Sequence, residues 1–273
     1  MKRILSIQDL SCAGRCSLTV AMPVLSAMGL QCIPLPTAVL STHTAFAAPH
    51  IRPLTQDLLP VCRHWQSIGL SFDAISVGYL ADPQQVAAIE AVFEAFSATR
   101  IVDPVLGDHG KLYSGITAEH IQAMKQLCTK AHVLLPNITE AAFLTGNAYQ
   151  PSADLAYCRA LAADMLCFGA EHVVLTGVSA SEGQTGFLTL SRDGSEHLYQ
   201  TNIIARQLHG TGDLFCAVFS GALAHGLCVF DAAKLAAGFI EQVLSATHGD
   251  PRLGAQFEPL LPSLWAQLNS LKE

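Results

Sequence analysis

Short apolar runs of strand length alternate with stretches of helical length along most of this chain, and that rhythm limits its folds more than any other feature. Strands are expected over residues 3–8, 30–35, 73–78, 100–102, 133–135 and 172–175. Helices are expected over 17–28, 55–68, 83–96, 117–130, 139–144 and 154–168; Gly29, Gly69 and Gly146 stand at helix ends and Pro83 at a helix start. Residues 184–190 and 197–201 flank Arg192-Asp193-Gly194, a hairpin signal, and the remainder reads as mostly helical. This order predicts an α/β fold with a mostly parallel central sheet covered by helices on both faces. No linker, repeat or low-complexity stretch divides the chain, so one domain over 1–273 is expected.

Composition removes several function classes. Hydrophobic residues make up 51 % and charged residues 14 %, enough apolar surface for a large core and too little charge for disorder. The formal net charge of −7, with no cluster of Lys and Arg, disfavours a nucleic-acid partner. The start Met1-Lys2-Arg3-Ile4-Leu5 resembles a signal peptide only until Gln8 and Asp9 interrupt it. The uncharged stretch 16–33 approaches membrane-span length, yet Pro23, Gly29 and Gln31 suit a buried helix followed by a strand. A soluble cytoplasmic protein without membrane contact is expected. The nine cysteines include no C-x-x-C pair, so they read as free thiols.

In a parallel sheet, ligands sit beyond the carboxyl ends of the strands. Polar residues fall at those places: Asp9 and Ser11 after the first strand, Thr42, His43 and Thr44 after the apolar run 37–40, and Tyr79 after 76–78. Asp103 follows Ile101-Val102, Asn137 and Glu140 follow Leu134-Leu135, and Thr176 follows Val173-Val174-Leu175. The stretch His209-Gly210-Thr211-Gly212-Asp213 then opens an apolar helix. Its glycines let the backbone approach an anion, and a helix start offers free N–H groups. Asp213 is odd at a pure anion site; it fits a group that takes a proton from a substrate hydroxyl while the turn holds the phosphoryl group in transfer. The alternative is a helix N-terminus with an acid near its cap. Gly110-Lys111 lacks the remainder of a P-loop, and Phe215 stands where a dinucleotide fingerprint needs glycine.

Several stretches in order resemble the ribokinase superfamily, in particular its vitamin kinase branch. They are Gly210-Thr211-Gly212-Asp213, Asp103-Pro104-Val105-Leu106-Gly107-Asp108, Pro136-Asn137-Ile138-Thr139-Glu140-Ala141, Ser41-Thr42-His43-Thr44 and Gly78-Tyr79. The resemblance implies a ribokinase-like three-layer αβα sandwich and an ATP-dependent kinase of a small alcohol. Asp213 would be the base, with Gly210, Thr211 and Gly212 as the anion hole. Asp103, Asp108 and Glu140 would organise Mg²⁺. Asp108, Asn137 and Thr176 would approach ATP, and Asp9, Ser11, Thr44 and Tyr79 would line the vitamin pocket under a loop over 107–115. A monovalent cation and a homodimer belong to the same expectation.

The substrate expected is a vitamin B6 compound, because Asp213 and the His43-Thr44 and Gly78-Tyr79 pairs resemble pyridoxal kinases. Asp9 is nearer to hydroxymethylpyrimidine kinases, which make the alternative. An alternative of another class is a non-catalytic binder of a B6 vitamer. His43 and His209 read as structural.

Overall fold

The computed structural model describes residues 1–206 and 208–271. In chain order the elements are β1 (Arg3–Ser11), α1 (Leu18–Ala27), β2 (Gln31–Leu40), β3 (Ile51–Pro53), α2 (Leu58–Ser67), β4 (Ala74–Val77), α3 (Gln85–Ala95) and β5 (Thr99–Val102). A small hairpin follows, β6 (Gly107–Asp108) and β7 (Lys111–Leu112), then α4 (Ala118–Cys128), β8 (Val133–Leu134), α5 (Ile138–Thr145), α6 (Leu155–Leu166) and β9 (His172–Val178). The chain ends with β10 (Gln184–Ser191), β11 (Glu196–Asn202), α7 (Thr211–Ala224), α8 (Val229–Ala246) and α9 (Leu261–Ser270).

The main sheet has nine strands in the order β11-β10-β9-β8-β5-β4-β1-β2-β3. The six strands from β9 to β2 run parallel, and β10, β11 and β3 add antiparallel edges. The expected α/β class, the parallel sheet and the hairpin are all present. Alternate side chains of each strand feed two separate cores. Leu5, Ile7, Ile75, Val77, Val102 and Leu134 pack under α2 to α6. Ile4, Ala74, Ile101, Val133 and Val174 pack under α1, α7, α8 and α9. The result is the three-layer αβα sandwich.

Three differences from the sequence expectation have clear causes. Residues 30–35 and 37–40 form one strand, β2, despite Pro34 and Pro36. β3 pairs only with Ala38, Val39 and Leu40, so both prolines lie along an uncovered edge where a missing N–H costs no ladder bond. β3 itself is short and exposed and carries no buried apolar pattern to announce it. The β6–β7 hairpin depends on Gly107, where a Cβ would stand 2.1 Å from the Lys111 carbonyl oxygen.

The chain passes from β1 to β2 on one side of the sheet, while β4 lies on the other side of β1. This reversal opens a crevice at the carboxyl ends of β1 and β4. Helix α7 is buried from Leu214 through Ala222 and forms the main support beneath that crevice. No described helix is long and apolar enough to cross a membrane. Phe219 is fully buried on α7. Phe219→Ala should therefore cost about 3–5 kcal/mol of stability, measurable by urea denaturation.

Candidate active site

The turn before α7 is built by close contact. Gly210 is the N-cap with φ 80°. A Cβ on it would stand 2.0 Å from the Arg15 carbonyl oxygen, so only glycine lets the loop between β1 and α1 lie against the turn. A strap near the C-terminus holds both from above. Arg15 N–H donates to the Leu253 carbonyl at 3.0 Å, Ala255 N–H to the His209 carbonyl at 3.3 Å, and His43 Nε2 lies 2.8 Å from the Arg252 carbonyl oxygen. Arg15 also pairs with Glu258 at 2.6 Å. The N–H groups of Thr211, Gly212 and Asp213 belong to the first helical turn, which has no intrahelical acceptors of its own. Gly212 is exposed, and no atom outside its immediate neighbourhood lies within 4 Å of where its Cβ would stand. The start of α7 thus presents open N–H groups and the positive end of its helix dipole, an arrangement suited to an anion.

Asp213 lies on this first turn with part of its surface open. Its Oδ2 accepts from the Cys16 thiol at 3.2 Å. Burial pushes its carboxyl above the usual range, against hydrogen bonds from Ser17 and Cys16 and the influence of His43. Asp9 sits at a break in register, where β1 pairs Gln8 with Pro36 but Leu10 with Val39. The extra residue lies on β2, where Thr37 and Ala38 together stand opposite Asp9, so the regular pairing is interrupted at the position of the acid. It is 3 % exposed and accepts from Ser11 Oγ at 2.8 Å. Burial is the largest influence on Asp9 and, with the Asp213 charge, outweighs the hydrogen bonds of Ser17 and Ser11, so its pKa rises to about 6.

Asp103 directly follows β5, and Glu140 stands on the first turn of α5; both are buried. Glu140 forms a capping box with Asn137, taking the Asn137 N–H at 2.9 Å and the Leu106 N–H at 3.2 Å. Burial drives both carboxyls upward, and the Glu140 charge pushes Asp103 further. Asp108 is exposed on the hairpin and accepts from the His109 N–H at 2.7 Å, yet its charge still reaches Glu140. No lysine or arginine pairs with Asp9, Asp103, Glu140 or Asp213 among the described residues.

The other expected residues are placed as follows. Asn137 caps α5 and donates from Nδ2 to the Gly107 carbonyl at 2.9 Å, while Thr176 bridges to it from β9. Thr176 Oγ1 donates to the Pro136 carbonyl at 3.4 Å. Tyr79 follows β4, and its carbonyl accepts from Thr37 Oγ1 at 2.9 Å. Burial and the Asp9 charge raise its phenol to about 12. Thr44 is partly exposed beside His43, which is buried against Phe46 and His209. Asp9, Ser11, Tyr79, Asp103, Glu140, Asp108 and Asp213 thus form one electrostatically linked group, and Asn137 and Thr176 lie next to its Glu140 end. Sequence reasoning missed three members. Cys16 and Ser17 reach Asp213, and burial followed by the charges of Glu140, Asp108, Asp103 and Asp213 raises the Tyr113 phenol. Only their proximity in sequence to Gly14 and Gly115 could have hinted at them.

An αβα sandwich with an open helix N-terminus, an acid on its first turn and further acids electrostatically linked to it has the parts needed to move a phosphoryl group to a small molecule. The family model described as phosphomethylpyrimidine kinase matches residues 22–260, and the chain belongs to that family of small-molecule kinases. It is 31 % identical to a pyridoxine/pyridoxal/pyridoxamine kinase of Bordetella avium, over 95 % of this chain and 89 % of that one. It is 28 % identical to a hydroxymethylpyrimidine/phosphomethylpyrimidine kinase of Bacillus subtilis, over 78 % of each. Among solved structures, pyridoxal kinase from Lactobacillus plantarum superposes with a TM-score of 0.91 at 33 % identity, covering 99 % of both chains.

Two measurements probe this geometry. Gly210→Ala should lower stability by about 3 kcal/mol through the Arg15 clash and the left-handed backbone, seen as an earlier urea midpoint. Asp9 has a folded-state pKa above its unfolded value, so its burial costs stability as pH rises from about 4 through 6. Asp9→Asn should therefore exceed the wild type by ~2–3 kcal/mol at pH 8, with the gain shrinking to nothing below about pH 4.

Proposed function

We propose that the protein transfers the γ-phosphoryl group of ATP to the hydroxymethyl group of a vitamin B6 compound, giving the 5′-phosphate. The observation that carries this reading is Asp213, held by Cys16 on the first turn of α7 beside free N–H groups. Asp213 takes the proton of the substrate hydroxyl. The oxygen forms a bond to the γ-phosphorus as the bond to ADP breaks, and ADP leaves with that electron pair. The N–H groups of Thr211 and Gly212 stabilise the charge on the moving phosphoryl. Asn137 and Thr176 face the nucleotide phosphates. Ser11, Thr44, Tyr79 and Asp9 form the pocket for the heteroaromatic ring, and the loop over 107–115 excludes water above it.

The donor set fits a magnesium ion brought in with the nucleotide. Asp103, Glu140 and Asp108 are hard oxygen donors; the first two are buried and pair with no lysine or arginine among the described residues, and exposed Asp108 has only His109 Nε2 beside it, at 3.4 Å. Among the described residues no cluster of three or more ligands is built to hold a bare metal, which suits an ion that keeps waters and phosphate oxygens. When bound, the ion supplies neutralising charge for the triphosphate.

A vitamin B6 substrate is favoured by the aspartate after Gly-Thr-Gly and by the likeness to the Bordetella and Lactobacillus kinases. Asp9 supports a second reading, hydroxymethylpyrimidine as the alcohol, as does the Bacillus relative. An ADP-release assay with Mg-ATP and pyridoxal, pyridoxine, pyridoxamine or hydroxymethylpyrimidine separates them. Turnover on a B6 vitamer is expected. Turnover on the pyrimidine alone would select the second reading, and binding without ADP release would mean a carrier. Asp213→Asn should reduce kcat by roughly 10²–10⁴-fold with the fold retained. Because the base must be ionised and burial raises its pKa, kcat/KM should rise with pH through a midpoint above that of an ordinary aspartate.

A further inference from the structure

Ser17 carries a backbone strain that its helix does not explain. Its φ is 51° and ψ −124°, in the left-handed half of backbone space, and the residue is 2 % exposed. It stands at the N-cap of α1, yet its side chain makes no capping bond. Such a conformation persists in a non-glycine residue only where the surroundings enforce it. Its neighbours show what it achieves. The Arg15 carbonyl presses on Gly210, and the Cys16 thiol donates to Asp213 Oδ2 at 3.2 Å. The Ser17 hydroxyl lies 3.7 Å from Cys16 Sγ. Ser17 also holds the Asp213 and Asp9 carboxyls down against the upward push of their burial. Three consecutive residues therefore reach the start of α7, and two of them reach its carboxylate.

We infer that Cys16 and Ser17 are positioning residues for Asp213: the left-handed turn at Ser17 aims the thiol and the Ser17 donors at the carboxylate and links it to Asp9. This rests on the reading of Asp213 as the proton acceptor. The charged and titratable groups facing Asp213 are Cys16 from the loop before α1, Asp9 from β1, His43 from the loop after β2, Asp103 from β5, Tyr113 from the loop after β7, and Cys216 one turn along α7. The acids disfavour a second negative charge. The Cys16 and Ser17 donors favour it, against the upward push of burial.

The test is a ¹³C-carboxyl NMR titration of the full chain labelled at aspartate, with the Asp213 signal assigned by its loss in Asp213→Asn. In Cys16→Ala the Asp213 midpoint should move up by about one pH unit. Cys16→Ser, which retains a donor, should move it less. Ser17→Gly relieves the strain and removes the hydroxyl, so it should melt above Ser17→Ala while the Asp9 and Asp213 midpoints both rise. The acid limb of kcat/KM should follow the Asp213 midpoint. Unmoved Asp213 midpoints in folded Cys16→Ala and Ser17→Gly would overturn the inference, as would Ser17→Gly melting no higher than Ser17→Ala. A wild type that phosphorylates none of the four alcohols would instead remove the kinase substrate reading, and the titration would still decide the positioning role.

Discussion

Asp9, Asp103, Glu140 and Asp213 are gathered at one end of the sheet, largely withdrawn from water, and among the described residues no lysine or arginine pairs with them. Burial raises all four carboxyls, the Glu140 and Asp213 charges raise Asp103 further, and the Asp213 charge adds to the rise at Asp9. Holding ionisable groups in that state costs free energy, so the rest of the molecule must hold them in place. It does so with two dense cores on either side of the sheet. The strands supply alternate side chains to each core, and so the strand ends, where the acids sit, cannot shift independently. In the proposed reaction, a divalent ion carried in by the nucleotide would offset that charge.

The second constraint is steric. Gly210 allows the Arg15 carbonyl to lie against the anion turn, and Gly254 lets the strap lie against both, with Arg15 and His209 carbonyl oxygens 2.9 and 3.0 Å from where its Cβ would be. Three segments far apart in sequence therefore meet at the start of α7. A site on one loop would be loose; a site where three segments interlock is preorganised, which is what electrostatic catalysis needs.

Much of the fold was legible because its signals are local. Each of the six parallel strands was visible as an apolar run, and each crossover helix by its glycine, proline or helical length. The strand-end acids were legible for the same reason: once a parallel sheet is inferred, Asp9, Asp103 and Glu140 fall at its carboxyl ends. β3 and the β6–β7 hairpin were not legible. The first is too short and exposed to carry a pattern, and the second depends on a close backbone approach at Gly107. Cys16, Ser17 and Tyr113 were missed because nothing in their residue types signals a partner nearly two hundred residues away or across the hairpin. A serine at positive φ is contrary to its own preference, so no local rule finds it.

The amino-acid sequence by itself determined the α/β class, the parallel sheet, the position of the glycine-rich turn and the acids at the strand ends. Periodicity and backbone preference act over a few residues and need no knowledge of the fold. The tertiary structure alone decided the strand order, with β4 on the far side of β1, and the bulge of β2 opposite Asp9. It also decided the raised pKa of the acids and the contact of Cys16 with Asp213. Those properties arise from desolvation and from contacts between distant segments, and they come into being only when the chain closes on itself.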